Sequence, residues 1–440
     1  MSGLGLAFVL AAIADWTPAR WSSPDPKSLE LVRQTPINCL LIDEWHWSVD
    51  FNRAAADASI ATLAVVRFGP LNAARLKELA FTGVALEGDV PEVADGLPVV
   101  RIGLRTSMRF GTGEPVVGTV QGVWPGINQT EEEIKAAPSG APWIDTNSGF
   151  LRAAAGPAEV WIANRPPEKG AIPVSRYIQA IADSAIVGAR WVVALDADFD
   201  KRLLAREAKA LADWRRIGVA MRFFEDHKDW QRMPPFGQLA IVQDTDSGGL
   251  ISGGILDMIA VKHTPVRAVV GHDLSRERMR GARMAVNVDP AKTGDSGKEI
   301  LRDFTRGGGT LLTAPPGWKF PPQRPGQIKL DDKEVEKIDA IWKEVNSMTG
   351  RHNLGARLFN VASVLSSLAA PASGKPVVLW LVNYSDYDVE NVTAHVLGKY
   401  AKATLHEPGA APRKVEVYEA EDGTGVDVEK LHALAALVLE

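Results

Sequence analysis

Acidic and amide side chains stand at the ends of short apolar runs through the first half of the chain. Ile37–Asp43 ends in Asp43 and runs into Glu44, and Gly83–Asp89 carries Glu87 and Asp89. Pro142–Asn147 carries Asp145 and Asn147, and Glu159–Asn164 ends in Asn164. Trp191–Asp198 ends in Asp196 and Asp198, and Val219–Glu225 ends in Glu225. Two-residue spacing puts Asp196 and Asp198 on one side of an extended strand, and Glu87 and Asp89 likewise. Carboxyl groups facing each other across a glycosidic bond can hydrolyse it. They stand about 5–5.5 Å apart for retention and roughly 6.5–9.5 Å apart for inversion. The expected catalytic pair is Asp145 with Asp196, one the general acid and the other the nucleophile or base. Trp124, Asn147, Glu87, Asp43, Glu44, Asp198, Asn164 and Glu225 are the expected substrate-binding residues, with Trp124 as a platform beneath a sugar ring.

Each acid also has a structural reading. Asp145 would cap a helix starting near Gly149, and Asp196 or Asp198 one starting near Lys201. His46 and His227 each have an acid nearby but no His at i,i+4, which is too little for a metal site. Arg101 and Arg105 flank a strand end, where they either form ion pairs or bind an acidic sugar.

Side chains on separate strands converge only if the fold gathers the strand ends. Thr62–Phe68, Pro98–Leu104 and Val116–Trp124 complete nine strand candidates, most of them separated by helical or loop stretches. That rhythm predicts an α/β fold, a (β/α)8 TIM-type barrel with its chemistry at the C-terminal strand ends. A closed barrel needs eight strands, so one of the pair around Arg101 and Val117 is read as a hairpin arm. Helices are expected at Arg176–Val187 and Asp200–Ile217. From Phe236, strands alternate with a helix near Gly297–Arg306, which predicts a small doubly wound, flavodoxin-like α/β layer. Gly307–Gly309 follows that helix and precedes a strand, so it reads as a helix end and turn and not as a phosphate loop. Short strands from Lys375 onward predict a C-terminal β-sandwich. The expected boundaries are an apolar N-terminal segment at 1–20, the barrel at 21–232, the α/β layer at 233–325, a helical connection at 326–370 and the sandwich at 371–440.

At 440 residues, 46% apolar and 23% charged, the chain is long enough for two or three globular domains. A net charge of −5 argues against general nucleic-acid binding. Cys39 is alone, which excludes an intrachain disulfide and a multi-cysteine metal site. Gly3–Ile13 has the length of a signal-peptide apolar region and is too short to span a membrane, so a secreted or periplasmic location is expected ahead of a cytoplasmic one. No Gly-x-Ser-x-Gly and no Gly-x-Gly-x-x-Gly is present, against serine-hydrolase and dinucleotide chemistry.

Two segments carry a family resemblance. Leu301-Arg-Asp-Phe-Thr-Arg-Gly-Gly-Gly-Thr-Leu-Leu312 resembles the helix and Gly-Gly-Thr-Leu strand of the middle domain of multidomain glycoside hydrolases of the β-galactosidase type with a trimerisation domain. Val377-Val-Leu-Trp-Leu-Val-Asn-Tyr-Ser385 is similar to the first sandwich strand of many glycosidases. The resemblance implies the three-part architecture, a carbohydrate substrate and a homo-oligomer formed through the middle domain. The chain also departs from that family. Such barrels carry an Asn-Glu pair after the fourth strand, and no Asn-Glu dipeptide occurs here. The family's catalytic residues therefore do not carry over. The working expectation is O-glycosyl hydrolysis by two aspartates, with no metal or organic cofactor, no nucleic acid and no membrane partner. The alternative is a non-catalytic carbohydrate-binding or scaffold protein on a glycosidase-like barrel.

Overall fold

A computed structural model of the chain describes residues 13–69, 72–88, 90, 96–104, 110–111, 113–120, 127–129, 134–136, 148–166, 170–243, 264–315, 332–350, 352–361, 364–385 and 387–440. The first unit is a barrel of eight parallel strands. They are β1 Pro18–Trp21, β2 Cys39–Ile42, β3 Ala61–Val66, β4 Gly83–Glu87, β5 Val99–Gly103, β6 Val116–Thr119, β9 Glu159–Ile162 and β10 Arg190–Trp191. A small antiparallel pair, β7 Ile127–Gln129 and β8 Ile134–Ala136, lies between β6 and β9. The barrel closes where Arg20 N–H donates to the Val193 carbonyl at 2.7 Å and Val193 N–H donates to that of Pro18 at 3.1 Å.

Alternation builds the barrel wall. Cys39 and Leu41, Leu63 and Val65, Ala85, Val100 and Ile102, and Trp161 and Ala163 fill the lumen as one buried cluster. The intervening Leu40, Ile42, Ala64, Val84, Leu86 and Ile162 join the outer core beneath the helices. Strands buried on both faces read in sequence as continuous apolar runs. Gly118 is required by close packing of β6 on β5, because a Cβ there would lie 2.8 Å from the Arg101 carbonyl oxygen.

The outer layer and its connections contain α1 Leu29–Val32, α2 Val49–Asp57, α3 Ala73–Glu78, α4 Ser148–Ala155, α5 Val174–Ala185, α6 Ala197–Leu204, α7 Ala208–Asp226 and α8 Lys228–Gln231. Five expectations change. The expected helix Asp200–Ile217 is two helices, α6 and α7, and the expected helical connection 326–370 contains the strands Ala356–Phe359 and Val364–Ala369. The 1–20 segment supplies most of β1, and Ile13 and Trp16 pack into the lumen cluster. Both the Arg101 and the Val117 segments are parallel barrel strands, paired with each other, so neither is a hairpin arm. Val219–Glu225 is the last part of α7 and not a strand. Its apolar cluster extends the helical spacing of Ala210, Trp214, Ile217, Met221 and Phe224, all buried on one face.

The second unit is a four-stranded, all-parallel sheet in the order β12 Val266–Val270, β11 Leu239–Gln243, β13 Met284–Asn287, β14 Thr310–Thr313. Helix α9 Asp295–Arg306 packs on it through Leu301. Helix α10 Asp332–Thr349 leads to two antiparallel sheets. One holds β15 Ala356–Phe359, β18 Val389–Val396, β22 Gly423–Leu431 and β21 Val417–Ala420. The other holds β16 Val364–Ala369, β17 Val377–Asn383, β23 Leu434–Leu439, β19 Ala403–His406 and β20 Arg413–Val415. The apolar side chains between them form their own core.

The sandwich docks on the barrel through the end of β17. Arg176 of α5 donates to the Tyr384 carbonyl at 2.9 Å, and Gln179 donates to that of Asn383 at 2.9 Å. Tyr384 Oη donates to Asp183 at 2.9 Å. The Asn-Tyr pair noted in the sequence is thus the joint between two units. Buried polar groups need partners, and this joint gives them each other.

Candidate functional site

On four strands the lumen side continues to a charged residue past the apolar filling. Period two carries Cys39 and Leu41 to Asp43, Leu63 and Val65 to Arg67, Ala85 to Glu87, and Trp161 and Ala163 to Arg165. Arg20 enters from β1. These five charged side chains meet at the C-terminal mouth of the barrel, the face where such barrels do chemistry.

Glu87 is the centre. Its Oε1 accepts from Arg20 Nη2, and its Oε2 accepts from Arg67 Nε at 2.8 Å and Arg165 Nη2 at 3.0 Å. Asp43 accepts from Arg67 Nη2 and, at 3.5 Å, from both Arg165 Nη1 and Nη2. Arg67 is held above its ordinary pKa: burial pulls it down, and the hydrogen bonds and charges of Asp43 and Glu87 outweigh that. Exposure grades outward, from 7% for Glu87 and 10% for Arg20 to 19% for Asp43 and 42% for Arg165. Because one nitrogen of Arg165 touches both carboxylates, their facing oxygens are no further apart than those two contacts allow. That is an upper limit, set by contacts of 3.0 and 3.5 Å: it takes in the retaining separation, about 5–5.5 Å, and reaches no further than the lower edge of the inverting range, roughly 6.5–9.5 Å. Gly88, at φ +89°, turns the chain immediately after Glu87 in a conformation suited to glycine.

The rim is apolar and exposed. Trp45 follows the end of β2 and is 74% exposed, and Phe68 follows the end of β3 and is 89% exposed. Leu104, just past β5, is also exposed. Trp47, by contrast, packs edge-on against Phe81 and donates to the Ile42 carbonyl at 3.0 Å. Glu44 is exposed and pairs loosely with Arg75 at 3.6 Å.

The remaining expected site residues lie elsewhere. Asp145, Asn147 and Trp124 are outside the described residues. Asp196 is a structural cap. Its Oδ1 accepts from the Asp198 and Phe199 N–H groups at the start of α6, at 3.1 and 3.0 Å. Its Oδ2 accepts from Tyr177 Oη at 2.7 Å and from the Ile172 N–H at 3.3 Å. It is 1% exposed, with four donors on two oxygens. Asp198 sits in the first turn of α6 and pairs with Arg202 at 2.8 Å. Glu225 lies at the opposite, N-terminal face, held by Arg190 at 2.6 Å and Lys228 at 2.7 Å near the start of β1 and β10. Burial pushes Glu225 up, and those two cations more than reverse it, leaving it below the usual glutamate value. Asn164 is buried just past β9 with neither amide atom paired.

Sequence reasoning missed Arg20, Arg67, Arg165 and Asp200. The first three were reachable by following the lumen-side alternation one step past the apolar filling. Asp200 accepts a hydrogen bond from Ser22, just past β1, and burial raises its pKa while the His46 charge opposes this. A carboxyl with a raised pKa near a barrel mouth is a candidate proton donor. Among the described residues, no three His, Cys, Asp or Glu side chains gather as a metal site would require. No helix among them is long and apolar enough to cross a membrane.

No known family profile matches the chain, and no curated protein matches it. Solved structures do. The chain is similar to alpha-L-fucosidase isoenzyme 2 from Paenibacillus thiaminolyticus, with a TM-score of 0.63 at 10% identity over 97% of this chain and 99% of that one. It overlaps more weakly with a beta-galactosidase from the psychrophilic Marinomonas ef1, with a TM-score of 0.37 at 12% identity over 94% of this chain and 69% of that one. An exo-carrageenase from Bacteroides ovatus gives 0.38 at 10% identity over 74% and 48%. The first likeness spans both chains nearly end to end and shows a shared fold. The other two are too weak to carry an argument.

Proposed function

We propose that the chain acts on carbohydrate at the barrel mouth and hydrolyses a glycosidic bond there. The observation that carries this reading is the approach of Asp43 and Glu87, bridged by Arg67 and Arg165, at strand ends that are followed by the exposed Trp45 and Phe68. Two carboxyl groups facing each other can flank a glycosidic bond, and aromatic rings bind the apolar faces of sugars. Guanidinium contacts orient both oxygens of Glu87. Asp43 is nearer solvent, and Arg165 is the most exposed member of the cluster and the one a substrate can displace. Asp200, with its raised pKa, is a second candidate acid. The fold shared with the fucosidase supports a glycosidase at the level of architecture. Fold alone does not fix chemistry.

The second reading is sugar binding without turnover. The three guanidinium groups around Glu87 favour it, because they occupy the oxygens a nucleophile would use. A hydrolysis screen against aryl glycosides and polysaccharides, with Asp43→Asn, Glu87→Gln and Asp145→Asn beside the wild type, separates the two. Turnover abolished by Asp43→Asn and Glu87→Gln supports the hydrolase. Sugar binding by calorimetry with no turnover supports the binding protein. Turnover untouched by both substitutions overturns the assignment of the pair.

For the middle unit we infer a flavodoxin-like layer. Its parallel strands run second, first, third, fourth, the order of that doubly wound class. Light scattering of the intact protein tests whether it forms a homo-oligomer through this unit.

A further inference from the structure

We infer that Asp200 is the general acid of the mouth, the group that protonates the departing sugar oxygen, and that Ser22 positions it. This inference rests on the hydrolase reading and names its proton donor.

Hydrolysis of a glycosidic bond needs one carboxyl group that gives a proton and one that gives electrons. Asp43 and Glu87 are both acceptors: Arg20, Arg67 and Arg165 donate to them, and a guanidinium can only donate. Oxygens held this way accept, and a general acid has to donate. Asp200 is held differently. Its partner Ser22 is a hydroxyl, which donates to a carboxylate and accepts from a carboxylic acid. That contact survives both loss and gain of the proton.

The positions agree with this role. Ala19 and Trp21 face the outer core, so Arg20 points into the lumen and Ser22 is the next residue on that side. Asp200 follows β10, in α6, and Glu87 ends β4. In the barrel order these two strands stand four places apart among eight, on opposite sides of the lumen. The two carboxyl groups that act on a glycosidic bond flank it from opposite sides. Asp200 and Ser22 are half-buried, so neither is sealed from a ligand. Four groups face Asp200: Ser22 from β1, His46 from past β2, Tyr177 from α5 and Asp196 at the start of α6. Burial lifts its carboxyl above the ordinary aspartate value; the Ser22 hydrogen bond and the His46 charge oppose that, and the Asp196 charge adds to it. As the bond from the anomeric carbon to the glycosidic oxygen breaks, its electron pair stays on the oxygen, which takes the Asp200 proton. Water supplies the hydroxyl that ends on the anomeric carbon, and its other proton restores Asp200.

The test compares phenyl and dinitrophenyl glycosides of the sugar that the intact wild-type protein turns over. Dinitrophenolate departs without a proton, and phenolate needs one. Asp200→Asn is expected to lose about a hundredfold or more in kcat/KM on the phenyl glycoside and less than about tenfold on the dinitrophenyl one. In the wild type, kcat/KM on the phenyl glycoside falls as pH rises through the folded pKa of Asp200, and in Asp200→Asn this descending limb vanishes. Ser22→Ala removes a hydrogen bond that favours the carboxylate, so the limb moves to higher pH, and Ser22→Thr returns it. Losses of equal size on the two glycosides, or a limb that persists in Asp200→Asn, overturn the assignment of Asp200. A wild-type profile with no descending limb overturns it without any variant. A limb unmoved in Ser22→Ala overturns the role of Ser22. Each of these results leaves the hydrolase reading standing. A wild type that turns over no glycoside overturns both.

Discussion

Tyr177 and Asp196 hold each other twice. The tyrosine hydroxyl lies 2.7 Å from Asp196 Oδ2, and the Asp196 backbone N–H donates to the same hydroxyl at 2.8 Å. Burial, with the Asp196 charge beside it, pushes the Tyr177 hydroxyl far above its ordinary pKa, so it stays protonated and donating. Asp196 also caps α6. A capping residue replaced by alanine costs about 0.5–2 kcal/mol, and each buried donor left unpaired adds about 1–3 kcal/mol. Asp196→Ala is therefore expected to lower unfolding stability by about 3 kcal/mol, measured by urea denaturation. A loss under about 0.5 kcal/mol, with activity abolished, would return Asp196 to the catalytic role expected from sequence.

The mouth network predicts coupled losses. Glu87→Gln leaves Arg20 buried without its anion, and breaking a buried ion pair this way costs about 3–5 kcal/mol. Removing Arg20 as well is expected to recover part of that, since residues in one network do not contribute additively. A double-mutant cycle in denaturant reads this coupling. On the functional side, Glu87→Gln is expected to reduce turnover by about a hundredfold or more. A fully additive cycle would show that Arg20 and Glu87 are not an energetic pair.

Trp45 and Phe68 separate binding from stability. Both are exposed beyond strand ends, so Trp45→Ala and Phe68→Ala should change unfolding stability by no more than about 0.5 kcal/mol. Stacking of an aromatic ring is worth about 0.5–1.5 kcal/mol, so each loss is expected to weaken sugar binding by roughly 2- to 10-fold. Unchanged affinity in both variants would remove the rim from the binding surface.

Asp200 gives a pH signature of its own. Burial raises its pKa above the ordinary 3.8, so the folded state holds this proton more tightly than the unfolded chain does. Its stabilising contribution is fully present below that ordinary value and is lost as pH rises through the folded value. Asp200→Asn keeps an acceptor for Ser22 without the charge. It is expected to raise the melting temperature at pH 7 and leave it nearly unchanged at pH 3. A lower melting temperature at pH 7 would mean that the carboxylate form is the one the fold favours.

The barrel was legible because parallel strands buried on both faces appear as plain apolar runs, and seven of its eight strands overlap such runs. β1 was hidden beside the apolar N-terminal stretch, and Ile13 and Trp16, just before it, pack into the lumen. The end of α7 was misread because Phe223 and Phe224 are as much at home in a strand as in a buried helix face. In the site, Asp43 and Glu87 were visible as acids at strand ends. Their arginine partners come from three other strands, and which cations meet which acids depends on barrel closure, which no local pattern encodes. Asp196 shows the converse: the position that makes an aspartate look catalytic also makes it a helix cap.

The junction between barrel and sandwich carries the last prediction. His406, at the end of β19, stacks edge-on against Trp230 with ring centroids 4.8 Å apart, and against His227 at 5.5 Å. Burial, and then the charge of His227, hold His406 below the ordinary histidine value of 6.5. The folded state therefore resists a proton that the unfolded chain accepts. Stability from this group is fully present above the unfolded value and is lost as pH falls through the lower, folded one. Melting temperature should fall as the solution is taken from pH 7 towards pH 5. In His406→Gln, which cannot take a proton, that part of the fall should vanish. The carboxylate Glu225 has its folded pKa below the ordinary 4.5, so its contribution is lost only at lower pH and leaves this window clear. An unchanged acid slope in His406→Gln would show that the junction does not sense pH through this ring.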